Sequence, residues 1–237
     1  MLELDHLVVH LNGEEDLGSL KTQLDATGVL FEPSWGKRAK GFKVANIWSG
    51  FDYFELVVIE SPDNLWQSEW AARHAAGERG AYCLFFRTDE DIAALYERFT
   101  AAGLGAKAPE RTSFKWLFGL LSKKLPWRFT LLPKMPGTGL ELGFIQYDAS
   151  AQAKTKRFMV PNTEEAGLLG YQEAEVFSSD ITAAQAYVIE VAEALNQVLP
   201  IRVGERAGQD LGLRLRPKLA AGKIFPRFRV ANAEVRA

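Results

Sequence analysis

The chain has 237 residues, a formal net charge of -2, 47% hydrophobic and 24% charged residues, and one cysteine. That much apolar material at this length supports a packed core in one or two domains and excludes general disorder. A near-neutral balance excludes a broad electrostatic hold on nucleic acid, and no apolar run approaches the ~18 residues of a bilayer span. The lone Cys83 can neither close an intrachain disulfide nor build a cysteine-based zinc site. With no charged start followed by an apolar export stretch, the expected setting is cytoplasmic.

The elements follow one order more than once. Residues 2–10 (LELDHLVVH) form an apolar run that predicts a strand. Asn12, with Glu15 three positions on, resembles a capping box, and Leu17, Leu20 and Leu24 give helical spacing up to a stop at Gly28. Val29–Phe31 predicts a short strand, and Phe42–Trp48 and Phe51–Ile59 a hairpin turning at Ser49-Gly50. This is a β-α-β-β-β module over residues 1–62. Residues 63–79 hold an inter-module helix, Asn64–Ala76, with Trp66, Trp70 and His74 repeating every four positions.

The order recurs over residues 80–150. A strand at Tyr82–Phe86 leads to a cap-like pair, Thr88 and Asp91, then to a helix with Ile92, Leu95, Tyr96 and Phe99 and a stop at Gly103. Leu17 lies 11 residues after His6, and Ile92 lies 11 after Ala81, so a gapless alignment sets His6 against Ala81. Strands at Arg128–Pro133 and Leu140–Tyr147 complete the copy, with Glu141 matching Glu55. Between them lies an insertion, Lys107–Trp127. Its Phe114, Leu117, Phe118 and Leu121 fall at i, i+3, i+4 and i+7 among lysines, which predicts a short amphipathic helix, packed on the barrel's outside or across a dimer, or else serving as a lid, a partner contact or a membrane-surface helix. Residues 151–237 read as a third, partial module: a strand Tyr171–Phe177, a Ser179-Asp180 cap, a helix with Ile181, Ala184, Val188, Val191 and Leu195, strands Pro200–Gly204 and Leu211–Arg216, and a basic tail forming an appended strand or a loosely packed end.

Strand alternation puts His6 and His10 on one face of the first strand, and Tyr53, Glu55 and Val57 on one face of the fourth. Imidazole nitrogen with carboxylate oxygen suits Zn, Fe, Ni or Mn. An acid in an apolar strand also needs a cation, a donor or water beside it, because burying it alone costs several kcal/mol. Arg128 suits an anionic substrate group, and Trp127 and His10 are further substrate-binding candidates. Phosphate loops of the GxxxxGK[ST] or GxGxxG kind are absent, as is a GxSxG nucleophile elbow. Cys83, set among Tyr82, Leu84, Phe85 and Phe86, reads as a buried apolar residue.

Paired modules carrying LDHLVVH and YFELVVI resemble the vicinal oxygen chelate superfamily of glyoxalase I, extradiol dioxygenases and bleomycin-resistance proteins. The succession RTDEDIAAL, PWRFTLL and ELGFIQYD, followed by a third half-module, is similar to the glyoxalase-like domain family over roughly residues 1–216. The resemblance implies an α+β fold whose paired βαβββ modules form a cupped mixed sheet. It implies ligand positions at His6, Glu55, Ala81 and Glu141, of which Ala81 offers no donor. Three ligands then remain for a divalent metal (Zn, Ni, Fe or Mn), with Glu55 or Glu141 free to move a proton. The implied activity is a metal-dependent lyase, isomerase or dioxygenase-like reaction on a small molecule in the cup. The alternatives are a metal-free small-molecule binding or resistance-type protein and a protein-interaction scaffold; a homodimer is the partner the resemblance implies.

Overall fold

The computed structural model describes residues 2–39, 41–61, 68–111, 113–116, 121–149, 151, 161–164, 166–205, 211–223 and 227–236. Its larger sheet joins β1 (Leu2–His10), β2 (Gly36–Ala39), β3 (Phe42–Ser49), β4 (Asp52–Ile59), β5 (Gly80–Thr88), β8 (Trp127–Leu132) and β9 (Glu141–Tyr147) in the order β2-β3-β4-β1-β5-β9-β8. Parallel pairs β1·β4 and β5·β9 flank a central antiparallel pair β1·β5, so two like units meet back to back. A smaller sheet, ordered β11-β10-β12-β14-β13, joins β10 (Leu168–Ser178), β11 (Ile201–Glu205), β12 (Leu213–Leu219), β13 (Phe228–Val230) and β14 (Ala233–Val235). The helices are α1 (Glu14–Asp25), α2 (Ser68–Ala75), α3 (Ile92–Ala101), α4 (Pro161–Glu164) and α5 (Ile181–Leu195). The fold is α+β with a curled mixed sheet, as the sequence leads one to expect.

The two faces of the larger sheet differ in what they bury. Leu7, Val9, Phe54, Leu56, Leu84, Phe86, Leu142 and Phe144 face α1 through Leu17, Leu20 and Leu24, and α3 through Ile92, Leu95 and Phe99. Each such side chain contributes about 1.5–3 kcal/mol on burial. The smaller sheet packs on this outer face too, with Tyr171 and Phe228 rings 5.8 and 5.7 Å from Phe54. The inner face carries a second cluster that includes Val8, Val57, Cys83, Phe85, Phe129, Leu131 and Ile145. The site described below is therefore furnished by the first two units, among the described residues, and not by all three.

Local chemistry explains most boundaries. Asp91 and Asp180 cap α3 and α5 by accepting from the amides of Ala93 and Ala94 and of Ala183. Gly50, at φ +66, makes the tight link between β3 and β4. At α1 the expected capping box is replaced: Gly13 is the N-cap, and Asp16 reaches back to accept from the Asn12 backbone N–H at 2.8 Å.

Two expected elements differ. Val29–Phe31 is not a strand, and β2 forms at Gly36–Ala39 instead. The reason is Asn162 of α4: its Oδ1 accepts from Leu30 N at 2.7 Å, and its Nδ2 donates to Leu30 O at 2.9 Å and Trp48 O at 2.7 Å. A buried side chain thus replaces the ladder that Leu30 would otherwise need. The insertion is not helical where it is described: β6 (Ser113–Trp116) pairs antiparallel with β7 (Leu121–Lys124), and residues 117–120 lie outside the described residues. Aromatic residues alternating with Ser113 and Lys115 obey a strand period as well as the helical one. The basic tail forms β13 and β14, and β14 runs parallel to β12. The expected helix Asn64–Ala76 is described from Ser68, and Trp66 lies outside the described residues.

Asn162 gives a stability test. Asn162→Ala leaves two carbonyls and one amide of the core without partners, so the unfolding free energy should fall by about 3 kcal/mol or more in urea melts. A loss below about 1 kcal/mol would show that these bonds do not fix the Val29–Phe31 segment.

Candidate functional site on the inner face

The register of β1 against β5 determines which side chains reach the inner face. Leu4 pairs with Phe86 and His6 with Phe85, leaving Asp5 as an extra residue; Val8 pairs with Cys83 and Val9 with Ala81, leaving Tyr82 extra. These are β-bulges, one in each strand. Because each strand carries one bulge, the position in β5 equivalent to His6 is Cys83 and that equivalent to Leu4 is Ala81. On the flanking strands, Tyr53 neighbours His6 and Glu141 neighbours Cys83. The gapless match of His6 with Ala81 and of Glu55 with Glu141 is thus two residues out of step in the folded sheet. Ala81 packs in the outer-face core.

His6 is held on every side. Its Nδ1 donates to Asp5 Oδ1 at 2.6 Å, which fixes the tautomer and leaves Nε2 as an acceptor. The ring is sandwiched between Tyr53, at 4.6 Å, and Phe85, at 4.3 Å, both nearly parallel to it. Phe85 lies flat there because Gly143 has no side chain: a Cβ at 143 would meet the Phe85 ring at 2.5 Å. Asp5 is buried and saturated, since Tyr147 Oη donates to its Oδ1 at 2.8 Å and Arg87 Nη1 to its Oδ2 at 2.9 Å.

Glu55 faces His6, with Oε2 3.8 Å from Nε2. That is too long for a hydrogen bond but within ion-pair distance when the ring carries both protons. Burial raises the Glu55 carboxyl above the usual range, with Asp5 adding to the rise and His6 opposing it. Yet 24% of its side-chain surface is accessible. Tyr53 and Tyr147 share the combination, partly accessible with hydroxyls pushed up chiefly by burial. Partly accessible groups this closely surrounded by protein atoms are what the lining of a shallow recess would present on this face.

Glu141 belongs to a separate arrangement. Trp70 Nε1 donates to Oε2 at 3.1 Å, and Arg73 Nη1 to Oε1 at 3.4 Å. Arg73 itself is buried over the Tyr82 ring, 3.8 Å from its centroid, and also donates to Glu78 and Gly139 O. His10 lies at this end, stacked on Tyr82 at 3.7 Å and edge-on to Trp70 at 5.8 Å, with no hydrogen bond to either ring nitrogen. Burial, helped by His74, Arg73 and Arg79, lowers its pKa to about 3.

Trp127 packs against the inner-face cluster, 6.1 Å from Tyr147. Arg128 turns to the other face, bonding Gln146 at 3.3 Å and pairing with Asp91 at 3.7 Å, because the strand alternates at each step. It does not reach the recess. Burial drives the Cys83 thiol well up, which suits the inert role expected of it.

A sequence profile for the glyoxalase-like domain matches residues 4–186, more than half of the chain. The chain belongs to the glyoxalase-like domain family. A comparison with curated proteins finds no match. Among solved structures, the glyoxalase-like chain is similar to a hypothetical protein from Staphylococcus aureus, with a TM-score of 0.69 at 13% identity over 99% of this chain and 98% of that one. Two methylmalonyl-CoA epimerases also match, that of Mycobacterium tuberculosis (TM-score 0.43, 13% identity, 64% of this chain and 91% of that one) and that of Streptomyces coelicolor (0.41, 14%, 62% and 98%). At these identities the likeness is one of fold.

The resemblance read in the sequence implies a divalent metal, and the donors test whether this glyoxalase-like chain fits one. His6 and Glu55 come together, but Glu141 is taken up by Trp70 and the cationic Arg73. Among the described residues no three His, Cys, Asp or Glu side chains gather as a ligand set. The expected trio His6, Glu55 and Glu141 therefore does not fit a shared ion. Sequence reasoning also missed Asp5, Tyr53, Arg87 and Tyr147. The signal for Asp5 was present: it is a carboxylate inside an apolar strand beside His6, under the same cost argument applied to Glu55.

His10 gives a pH test. Its depressed folded pKa means that below about 6.5 the unfolded chain takes a proton that the folded one refuses, so this contribution to stability is lost as pH falls toward about 3. His10→Phe keeps the stack and removes the titration. Between pH 7.5 and pH 5 the stability of the variant relative to wild type should improve by about 2 kcal/mol. An unchanged difference would contradict it.

Proposed function

We propose that the recess binds a small organic molecule and that Glu55, with His6, moves a proton on it. The observation that carries this reading is the Asp5–His6–Glu55 line. One imidazole nitrogen is fixed by a buried carboxylate, and the other faces a second carboxylate 3.8 Å away. Orienting an imidazole through a buried aspartate is how a general base is kept in one tautomer. Burial raises the nearby Glu55 carboxyl above the usual range, which makes it a stronger proton acceptor than an exposed glutamate.

Each residue then has a task. Asp5 holds the His6 Nδ1 proton, and Arg87 and Tyr147 hold Asp5, so Nε2 points steadily toward Glu55. Tyr53 and Phe85 confine the ring from both sides. Glu55 takes the proton from the carbon next to the carbonyl, the C–H electron pair passing to the carbonyl oxygen as an enolate, and returns it to the same carbon, while His6 Nε2 accepts from an N–H or O–H elsewhere on the molecule. No step needs Glu141, whose bonds with Trp70 and Arg73 make it a tie between α2 and β9. A purely binding role uses the same recess, and Glu55→Gln separates it from catalysis.

The test is hydrogen exchange at carbon. In D2O, the protein is mixed with a panel of small carbonyl compounds, amino ketones included, and the exchange of their carbon-bound hydrogens next to the carbonyl is followed by NMR. Catalysed exchange of at least one compound is expected, falling roughly 10²- to 10⁴-fold in Glu55→Gln. Exchange that survives this substitution undiminished, or none with any compound, would leave the recess without the proton-transfer role.

A further inference from the structure

The third unit meets the larger sheet across a buried acid. Asp52 opens β4, and its Oδ2 accepts from the Tyr171 backbone N–H of β10 at 2.7 Å. Nothing fits between the two: a Cβ on Gly170 would stand 2.4 Å from that oxygen, and Gly170 holds φ +125, a conformation that glycine permits. Tyr171 Oη also shares a 2.8 Å bond with Ser49 Oγ of β3, and its ring packs 5.8 Å from that of Phe54. Among the described residues, Asp52 Oδ1 meets one cation, Arg87 of β5, at 3.5 Å. That guanidinium lies closer to two other carboxylates, Asp5 and Glu3 of β1, each at 2.9 Å. Three acids thus share one cation, and Asp52 has the longest contact with it. From β10 the titratable group at the junction is Tyr171 itself.

A carboxylate stays ionised away from water only when several good donors surround it. Asp52 has one short neutral donor, and ionising it sets its charge against those of Asp5 and Glu3. Burial outweighs the help of Arg87 and the Tyr171 amide and brings the carboxyl up to about 7. From this cluster we infer that Asp52 is a proton-operated latch: protonated, it holds β10 against β4, and on ionisation it draws water into the junction and loosens the third unit there. An exposed aspartate titrates near ~3.9, so the closed junction keeps a proton that the opened one gives up. Closure is therefore favoured at low pH and weakens as pH rises through about 7. The inference concerns this junction and draws on no ligand at the inner face.

The Tyr171 amide reports on the latch because Asp52 is its acceptor; the Ala174 amide, bonded to Pro200 O within the third unit, is the control. Amide hydrogen exchange is followed by NMR at pH 6 and pH 8.5, each rate being corrected for the intrinsic pH dependence of exchange. Protection of Tyr171 should fall about tenfold at the higher pH while that of Ala174 holds. Asp52→Asn keeps an oxygen for the Tyr171 amide and cannot ionise, so its Tyr171 protection should be the same at both pH values. In the unsubstituted protein, the carbon-13 signal of the Asp52 carboxyl should titrate with a midpoint above about 6. Equal Tyr171 protection at both pH values in wild type, a loss that survives Asp52→Asn, an equal loss at Ala174, or a carboxyl midpoint at or below about 6 would overturn the inference.

Discussion

The 2.6 Å contact between Asp5 and His6 is the constraint on which the inner face depends. A carboxylate taken this far from water must be saturated with donors or it destabilises the fold by several kcal/mol. Here the donors come from three places: the next residue, the Arg87 side chain of β5 and the Tyr147 hydroxyl of β9. Satisfying one acid thus ties together the three adjacent strands β1, β5 and β9, and the imidazole orientation follows from that tie. The geometry facing Glu55 is in this sense a by-product of solving a burial problem.

The same accounting reaches the smaller sheet. Arg87 touches Asp52 at 3.5 Å as well as Asp5, and Asp52 accepts from the Tyr171 amide of β10 at 2.7 Å. Burial chiefly raises the Asp52 carboxyl to about 7, and Arg87 and the Tyr171 amide oppose that rise. Tyr171 also shares a 2.8 Å hydrogen bond with Ser49. The third unit is therefore joined to the site through one guanidinium, although its apolar mass lies on the outer face with α1 and α3.

Much of this was legible in the chain. The strand and helix order, the caps at Asp91 and Asp180 and the turn at Gly50 follow from side-chain chemistry within a few residues, where local rules are strongest. The pairing of His6 with Glu55 followed from alternation along two strands. The misreadings share a cause. A bulge at Asp5 or Tyr82 changes which side chains face inward without changing residue spacing, so counting placed Ala81 and Glu141 where the sheet does not. Asn162 acts on Leu30 from 132 positions away, and no local pattern reports that. Glu141 looked like Glu55 because both sit in similar short motifs; its difference lies in Arg73 and Trp70 of a helix between the units.

The bulge at Asp5 carries one more consequence. In a regular strand, adjacent residues point to opposite sides and cannot bond side chain to side chain; the surplus residue lets Asp5 and His6 do so. Losing position 5 would not simply erase a carboxylate. It would also straighten the ribbon, since Leu4 and His6 already pair with the consecutive Phe86 and Phe85, and would leave the imidazole inward with no acceptor to fix its ring, so length at this point is as much a part of the site as composition.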